Sequence, residues 1–258
     1  MKSTPIFLVS MKGDSARRER LEKSFPELYS SMTLVEAVDG RKLGAQDYFR
    51  YASSAMVNHR RILAPAEVGC SLSHIKALEL FLQTEAERAV ILEDDVIGDD
   101  GSLTESIEDL WAIPADGLII FGGQEGLPSR KYIVGKGAGR DNVYALPPYS
   151  NAHVLRTCCY GITRSSAERI LATQRESLKL ADAWGMFFVT EADGVIHFSN
   201  RLAHPEDRNE SYIESSRAGL SEKAEKGFAN YLKKRRLRLK RKFGAARCKL
   251  AGYRRVVP

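Results

Sequence analysis

Short runs of aliphatic and β-branched residues alternate with stretches of helical periodicity along most of the chain, and this alternation limits what it can fold into. "PIFLVS" (5–10), "MTLVEAV" (32–38), "RAVILED" (88–94), "GLIIFGG" (117–123) and "GVIHFS" (194–199) read as strands: they are short, apolar and without a 3.6-residue repeat. Between the first two, "MKGDSARRERLEKSF" predicts a helix capped by Asp14 or Ser15 and ending near Pro26. Pro65 suits a first helical turn, and from Val68 the residues Leu72, Ile75, Leu78 and Phe81 recur at helical spacing. "SSAERILATQ" (165–174) predicts a further capped helix with Glu168 in its first turn, and "HVLRTCCYGIT" (153–163) reads as extended. Residues 41–64 lack strong periodicity and read as a surface loop or short helical pieces. The Gly- and Pro-rich segment 124–152 reads as a mobile loop over a ligand. The expectation is an α/β fold with a mostly parallel sheet.

Charge divides the chain in two. Twelve of the 39 Lys and Arg residues fall between Leu232 and Pro258, where there is no acid; the remaining 27 face 33 Asp and Glu. An acidic body of residues 1–220 and a basic amphipathic helical tail of 221–258 are therefore expected. Cys70, Cys158, Cys159 and Cys248 form no C-x-x-C pair, which argues against structural zinc and for a reducing compartment. Nothing resembles a signal peptide, and no stretch approaches the roughly 20 apolar residues of a spanning helix.

The stretch "AVILEDDVIGDD" (89–100) runs an apolar strand into Glu93, Asp94 and Asp95. Two carboxylates 4 Å apart repel by about 4 kcal/mol at an effective dielectric near 20, so protonation, a basic partner, a cation or water must relieve the crowding. Strand alternation would place Glu93 and Asp95 on one face, about 6.6 Å apart, with Asp94 facing away. At the C-terminal edge of a parallel sheet such a pair suits Mg²⁺ or Mn²⁺ holding a diphosphate; the alternative is a solvated turn. Asp39, on the "VDG" turn, could accept from a sugar hydroxyl or cap an ordinary Asp-Gly turn. Arg17 and Arg18 could reach a phosphate or form the wet face of a helix. His74 could be structural or catalytic. Asp182 beside Trp184 could be a sugar-binding pair or a helix cap above a core ring.

Taken in order, several segments resemble glycosyltransferase family 25, the lipopolysaccharide and lipooligosaccharide glycosyltransferases. They are "IFLVSMKGDSARRERLEKSF", "VEAVDGRKL", "LAPAEVGCSLSHIKALELF" (with Ala66 in place of the usual Gly), "AVILEDDV", "RTCCYGITRSSAERIL", "LADAWG" and "ESYI", covering roughly residues 5 to 215. The resemblance implies a GT-A type nucleotide-sugar-binding fold and an inverting, metal-dependent hexosyltransferase using a UDP-hexose, with galactose the usual sugar. It implies Mn²⁺ or Mg²⁺ on Asp95 and Glu93, and catalytic roles for Asp182, as general base, and His74. It further implies a nucleotide-sugar site of Asp39, Arg17, Arg18, Asp94, Glu67 and Ser73.

In the tail, Leu232, Leu239, Phe243, Ala246, Leu250 and Tyr253 trace one helical face among basic side chains, with Gly244 and Gly252 weakening the helix. Lys233, Lys234, Arg235, Arg236, Lys240, Arg241 and Lys242 would meet an anionic membrane at about 1 kcal/mol each. A disordered tail and a nucleic-acid arm are alternatives; the apolar face favours the membrane over nucleic acid. The combined expectation is a cytoplasmic enzyme, peripheral on the inner face of the membrane, acting on a lipid-linked saccharide. A non-catalytic membrane- or nucleic-acid-binding module and a metal-dependent phosphohydrolase are the competing readings.

Overall fold

The computed structural model describes residues 4–59, 61–206 and 228–257. Among these residues nine strands form one sheet: β1 (Ile6–Ser10), β2 (Met32–Glu36), β3 (Arg88–Glu93), β4 (Leu118–Gly122), β5 (Val134–Gly137), β6 (Tyr144–Ala145), β7 (Cys159–Thr163), β8 (Ile196–Leu202) and β9 (Arg254–Arg255). Their order is β2-β1-β3-β7-β4-β8-β6-β5-β9. β1, β2 and β3 are parallel neighbours, and β7 runs against both β3 and β4. Following the pairings outward, six of the nine strands point one way and β6, β7 and β9 the other. The expected α/β fold with a mostly parallel sheet is present, mixed by these reversed strands.

Alternation along the central strands supplies two cores. Phe7, Val9, Val35 and Ile91 face one side, where α3 (Pro65–Leu82) and α6 (Arg164–Glu176) contribute Ala77, Leu78, Phe81, Ile170 and Leu171. The short helix α7 (Trp184–Phe187) adds both of its end residues to that core. Ile6, Leu8, Val90 and Leu92 face the other side, against Leu21 of α1 (Ser15–Ser24) and Leu103 and Leu110 of α4 (Asp100–Ala112). Helices on both faces explain why the central strands are continuous apolar runs rather than alternating ones.

Two segments differ from the expected loops. Residues Ala45–His59 form one continuous amphipathic helix, α2, which packs shallowly: Ala52 and Ala55 are buried while Phe49, Met56 and Val57 stay exposed. The segment 124–152 is not one long loop. It contributes β5 and β6 to the sheet and a short helix, α5 (Pro148–Asn151), because Val134 and Leu146 carry it back into the core.

The C-terminal helix α8 spans Phe228–Leu250, and Tyr253, expected on its apolar face, lies beyond its end. The helix docks through Arg241, Gly244, Ala245 and Cys248. Tyr149 donates to the Arg241 carbonyl at 2.7 Å, and the Arg241 guanidinium lies over the Tyr132 ring at 5.8 Å. Gly244 permits the close approach, since a Cβ there would meet Tyr149 at 2.2 Å. The chain then returns to the sheet as β9, and Val256 and Val257 enter the main core. The "ESYI" segment (210–213) and the side chains of Leu232, Lys233 and Lys234 lie outside the described residues.

Candidate active site

The C-terminal ends of β1, β2 and β3 open on one edge of the sheet, where ligands settle in open α/β folds. A hollow there is lined by Arg17, Asp39, Cys70, Ser73, His74 and Glu93, among others. Its floor depends on two glycines. In the turn after β2, Gly40 packs directly on Gly69 of α3. A Cβ on Gly69 would fall 2.4 Å from the Val38 carbonyl oxygen, and one on Gly40 would fall 1.8 Å from that of Pro65. Ser73 fastens the same contact, accepting from the Val38 N–H at 2.8 Å and donating to the Gly69 carbonyl at 2.7 Å. Glu67 holds the start of α3: it accepts from the Ala64 N–H at 2.8 Å and from Arg61 at 2.7 Å. Ser73 and Glu67 thus bear on the hollow by holding its wall, with Ser73 also lining it. Asp39 lies in the wall too, gripped by the Arg41 side chain at 2.7 and 2.9 Å. Those bonds, outweighing its burial, keep its carboxyl below the usual range.

The acid triplet is divided up by the chain's path. β3 ends at Glu93, and a tight turn follows, closed by the Val96 N–H on the Glu93 carbonyl at 3.2 Å. Strand alternation therefore does not extend to Asp95. Glu93 lines the first hollow, while Asp95 lines a second, of about 390 Å³, with Arg17, Arg20, Ile97 and His204; Arg17 and Asp94 border both. Each carboxylate has its own partners. Glu93 accepts from Thr157 and lies 3.1 Å from His74 Nε2. Burial pushes its pKa up, but these two bonds and the His74 charge outweigh that and hold it low. Asp94 accepts from Ser10 at 2.6 Å and Arg17 at 3.0 Å, yet its burial prevails and lifts its carboxyl above the usual range. Asp95 lies 3.6 Å from Arg17 and 3.3 Å from His204 Nε2. Burial alone would lower the His204 pKa; the bond to Asp95 reverses that and raises it. A basic partner and hydrogen bonds thus relieve the crowded charge. One atom is left over: Asp95 Oδ1 is buried with no hydrogen-bond partner among the described residues.

His74 is held at both nitrogens, by Glu93 and by the Tyr160 hydroxyl at 3.1 Å. Asp182 is half-buried and accepts from the Arg156 N–H at 3.0 Å; the Trp184 indole in turn donates to the Arg156 carbonyl at 3.2 Å. Arg156 reaches this position with φ +68°, a left-handed conformation uncommon for a residue with a Cβ. Glu93, Asp182 and Asp95 all lie close enough to repel charge on the Cys70 thiol, whose burial, the largest cause, and these carboxylates push its pKa well up. Asp182 itself lines neither hollow. Arg18 also lines neither, donating to Ser10 Oγ at 2.9 Å and to backbone carbonyls of the β1 exit. Sequence reasoning did not single out Thr157, Tyr160, Arg156 or His204. Thr157 and Tyr160 stand in the quoted "RTCCYGIT" stretch, but nothing local marks them; His204 carries no signal at all.

With this geometry in place, comparison with known proteins bears most directly on the N-terminal part. Residues 3–114 match glycosyltransferase family 25 (LPS biosynthesis protein). The matched stretch holds β1 to β3, α3 and the acid triplet. Procollagen galactosyltransferase 2 of Mus musculus is 30% identical over 96 residues, covering 35% of this chain and 15% of that protein. A probable inactive glycosyltransferase 25 family member 3 of Bos taurus is 28% identical over 179 residues, 66% of this chain and 29% of that one. The chain thus spans less than a third of the length of these relatives. Among solved structures, mannose-1-phosphate geranyltransferase from Thermus thermophilus aligns at TM-score 0.37 and 16% identity, over 80% of this chain and 75% of that one.

Proposed function

We propose that the chain is a glycosyltransferase that moves a hexose, galactose in the first instance, from a UDP-sugar to a lipid-linked saccharide of the lipopolysaccharide or lipooligosaccharide class. The observation that carries this reading is the convergence of Arg17, Asp39, His74 and Glu93 on one hollow at the C-terminal edge of three parallel strands, within the segment matching a glycosyltransferase family. In this reading Asp39, whose oxygens Arg41 also holds, accepts from the nucleoside, and the Arg17 guanidinium meets a phosphate oxygen. The buried, unpartnered Asp95 Oδ1 fits a hard divalent cation, Mn²⁺ or Mg²⁺. Glu93 fits less directly, because His74 and Thr157 already share one of its oxygens. When bound, the cation supplies Lewis-acid stabilisation of the departing diphosphate. Asp182 takes the acceptor hydroxyl proton. Its Oδ2 is fixed by the Arg156 N–H, and the core residue Trp184 anchors Arg156 from behind through its carbonyl. The second hollow, with Asp95 and His204, leaves room next to the donor.

Membrane attachment is part of the same reading. At 100° per residue, Leu239, Phe243, Ala246 and Leu250 lie opposite the docked residues Arg241, Gly244, Ala245 and Cys248. Leu239, Phe243 and Leu250 are 48%, 72% and 92% exposed. Exposed Arg235, Arg236, Lys240 and Lys242 flank that stripe. Such a face suits an anionic bilayer, acyl chains under the stripe and headgroups against the cations, and it would hold the enzyme on the inner face of the membrane. No helix among the described residues is long and apolar enough to cross a membrane.

The test is UDP release from a panel of UDP-hexoses with Mn²⁺ and a saccharide acceptor. Turnover that needs acceptor, and that falls at least 100-fold in Asp95→Ala and Asp182→Asn at unchanged melting temperature, supports the transferase. Phosphate release without acceptor would indicate a hydrolase, and no turnover with any donor would leave a binding module.

A further inference from the structure

Cys70 and His74 lie one helical turn apart on α3 and face Glu93 at the end of β3. Cys70 Sγ, a His74 ring nitrogen and a Glu93 carboxylate oxygen all lie within 4.8 Å of one another. We propose that these three side chains form a binding site for a thiophilic divalent cation such as Zn²⁺, distinct from the hard-cation position at Asp95 and opening into the donor hollow. Three lines of geometry carry it.

The edges of the triangle come first. Zinc bonds of about 2.0–2.1 Å to nitrogen and oxygen and about 2.3 Å to sulfur give tetrahedral edges of about 3.3 Å for N···O and about 3.6 Å for S···N. His74 Nε2 and Glu93 Oε1 already stand 3.1 Å apart. Bringing the sulfur in from at most 4.8 Å asks for about 1 Å, within reach of a thiol rotation. The second line is the support behind the histidine. The nitrogen not facing the site, Nδ1, is 3.1 Å from the Tyr160 hydroxyl. A metal-bound imidazole commonly has its other nitrogen held by such a partner, which fixes the ring and its tautomer. The third is the opening. The hollow borders all three residues, which leaves a fourth position for water or a ligand oxygen.

The protons balance simply. Metal replaces the thiol proton, which passes to solvent. The ring proton sits on Nδ1 and donates to the Tyr160 oxygen, leaving Nε2 free to ligate. The donor set of one sulfur, one imidazole and one carboxylate suits Zn²⁺ or Co²⁺ better than Mg²⁺. Since Glu93 and the hollow are shared with the proposed donor site, occupancy by zinc would displace the nucleotide and make the site inhibitory. That consequence rests on the proposed function; the metal site does not.

The test uses the full chain, reduced with a non-chelating phosphine, titrated with Co²⁺ and followed by absorption. A thiolate-to-cobalt charge-transfer band with intense four-coordinate visible bands is expected at one equivalent. The band should vanish in Cys70→Ser, weaken at least tenfold in apparent affinity in His74→Ala, and persist in Asp95→Asn and in the Cys158→Ala/Cys159→Ala double variant. As a measurement free of folding effects, Zn²⁺ should protect Cys70 of the unaltered protein from iodoacetamide, read by peptide mass spectrometry. No charge-transfer band, a band retained in Cys70→Ser, or alkylation of Cys70 unaffected by zinc would each overturn the proposal. Loss of sugar transfer would not, because the band is read without any sugar nucleotide.

Discussion

Gly69→Ala is the most informative single change at the floor of the proposed donor hollow. The added methyl would lie 2.4 Å from the Val38 carbonyl oxygen and 2.5 Å from the Gly40 nitrogen, both backbone atoms with no rotamer to yield. An ordinary contact is about 1 Å longer, so α3 and the turn carrying Asp39 must part by about that distance. Overpacking of this kind costs about 1–3 kcal/mol. The 2.8 Å bond between the Val38 N–H and Ser73 cannot survive the shift and adds about 0.5–1.5 kcal/mol. The sum is about 2–4 kcal/mol, which in a chain of this size lowers the melting temperature by about 5–15 °C. Because Asp39 moves with the turn, UDP affinity should fall together with stability. Gly44→Ala is the control, as a Cβ there meets nothing within 4 Å. Thermal melts and UDP titration calorimetry on both variants check the claim. A Gly69→Ala protein melting within about 2 °C of the parent, a shift worth about 0.5–1 kcal/mol, or binding UDP as well, would show that the two backbones do not touch as described.

Other outcomes follow from different parts of the molecule. Asp109 is fully buried and receives Arg140 at 2.6 Å and Arg201 at 2.9 Å. Asp109→Ala should cost about 2–4 kcal/mol in urea unfolding, at the low side for a broken buried pair because both guanidiniums also reach Glu108 or Glu105. His153, buried beside Tyr132, Tyr149 and Arg241, has its pKa pushed down from 6.5 to about 4 by burial first and the Arg241 charge second. The unfolded chain then binds more protons than the folded one between those values, so this group makes stability rise with pH from about 4 to 6.5. His153→Phe should flatten that slope in denaturant titrations taken across the range. Replacing Leu239 and Phe243 together by Glu should abolish sedimentation with anionic vesicles and leave transfer to a soluble acceptor intact. Equal sedimentation would remove the membrane face from consideration.

Much of this protein is written in local pattern. Apolar runs flanked by turn residues place β1, β2, β3, β4 and β8, and the 3.6-residue repeat is legible in α3, which packs on the sheet, and in α8, whose apolar stripe stays exposed. The acid triplet, Asp39, His74 and Asp182 stand out through the ordered motifs that hold them, since Asp is itself ordinary at strand exits and turns. The basic stripe of α8 is equally local, since neighbours three and four apart on a helix share a face whatever lies beyond. By contrast α2 and the strands β5 and β6 escape a local reading. The residues that α2 buries include the small Ala52 and Ala55, which mark a core face weakly, and β5 and β6 are too short to display a period.

What tertiary structure alone decides is which charge meets which. The sequence places three carboxylates side by side, but the turn after Glu93 sends Glu93 and Asp95 to different hollows, and Arg17, Ser10, Thr157 and His204 are brought to them from separate elements. Those partners stand far off in the chain, several of them in ordinary-looking turns, and no sequence period links them. Gly69 against Gly40, and Gly244 against Tyr149, are likewise invisible as contacts until the backbones are packed. Propensity and periodicity act over a few residues, whereas electrostatic relief and close packing depend on distances in space; the first set the elements of this protein, and the second set its site.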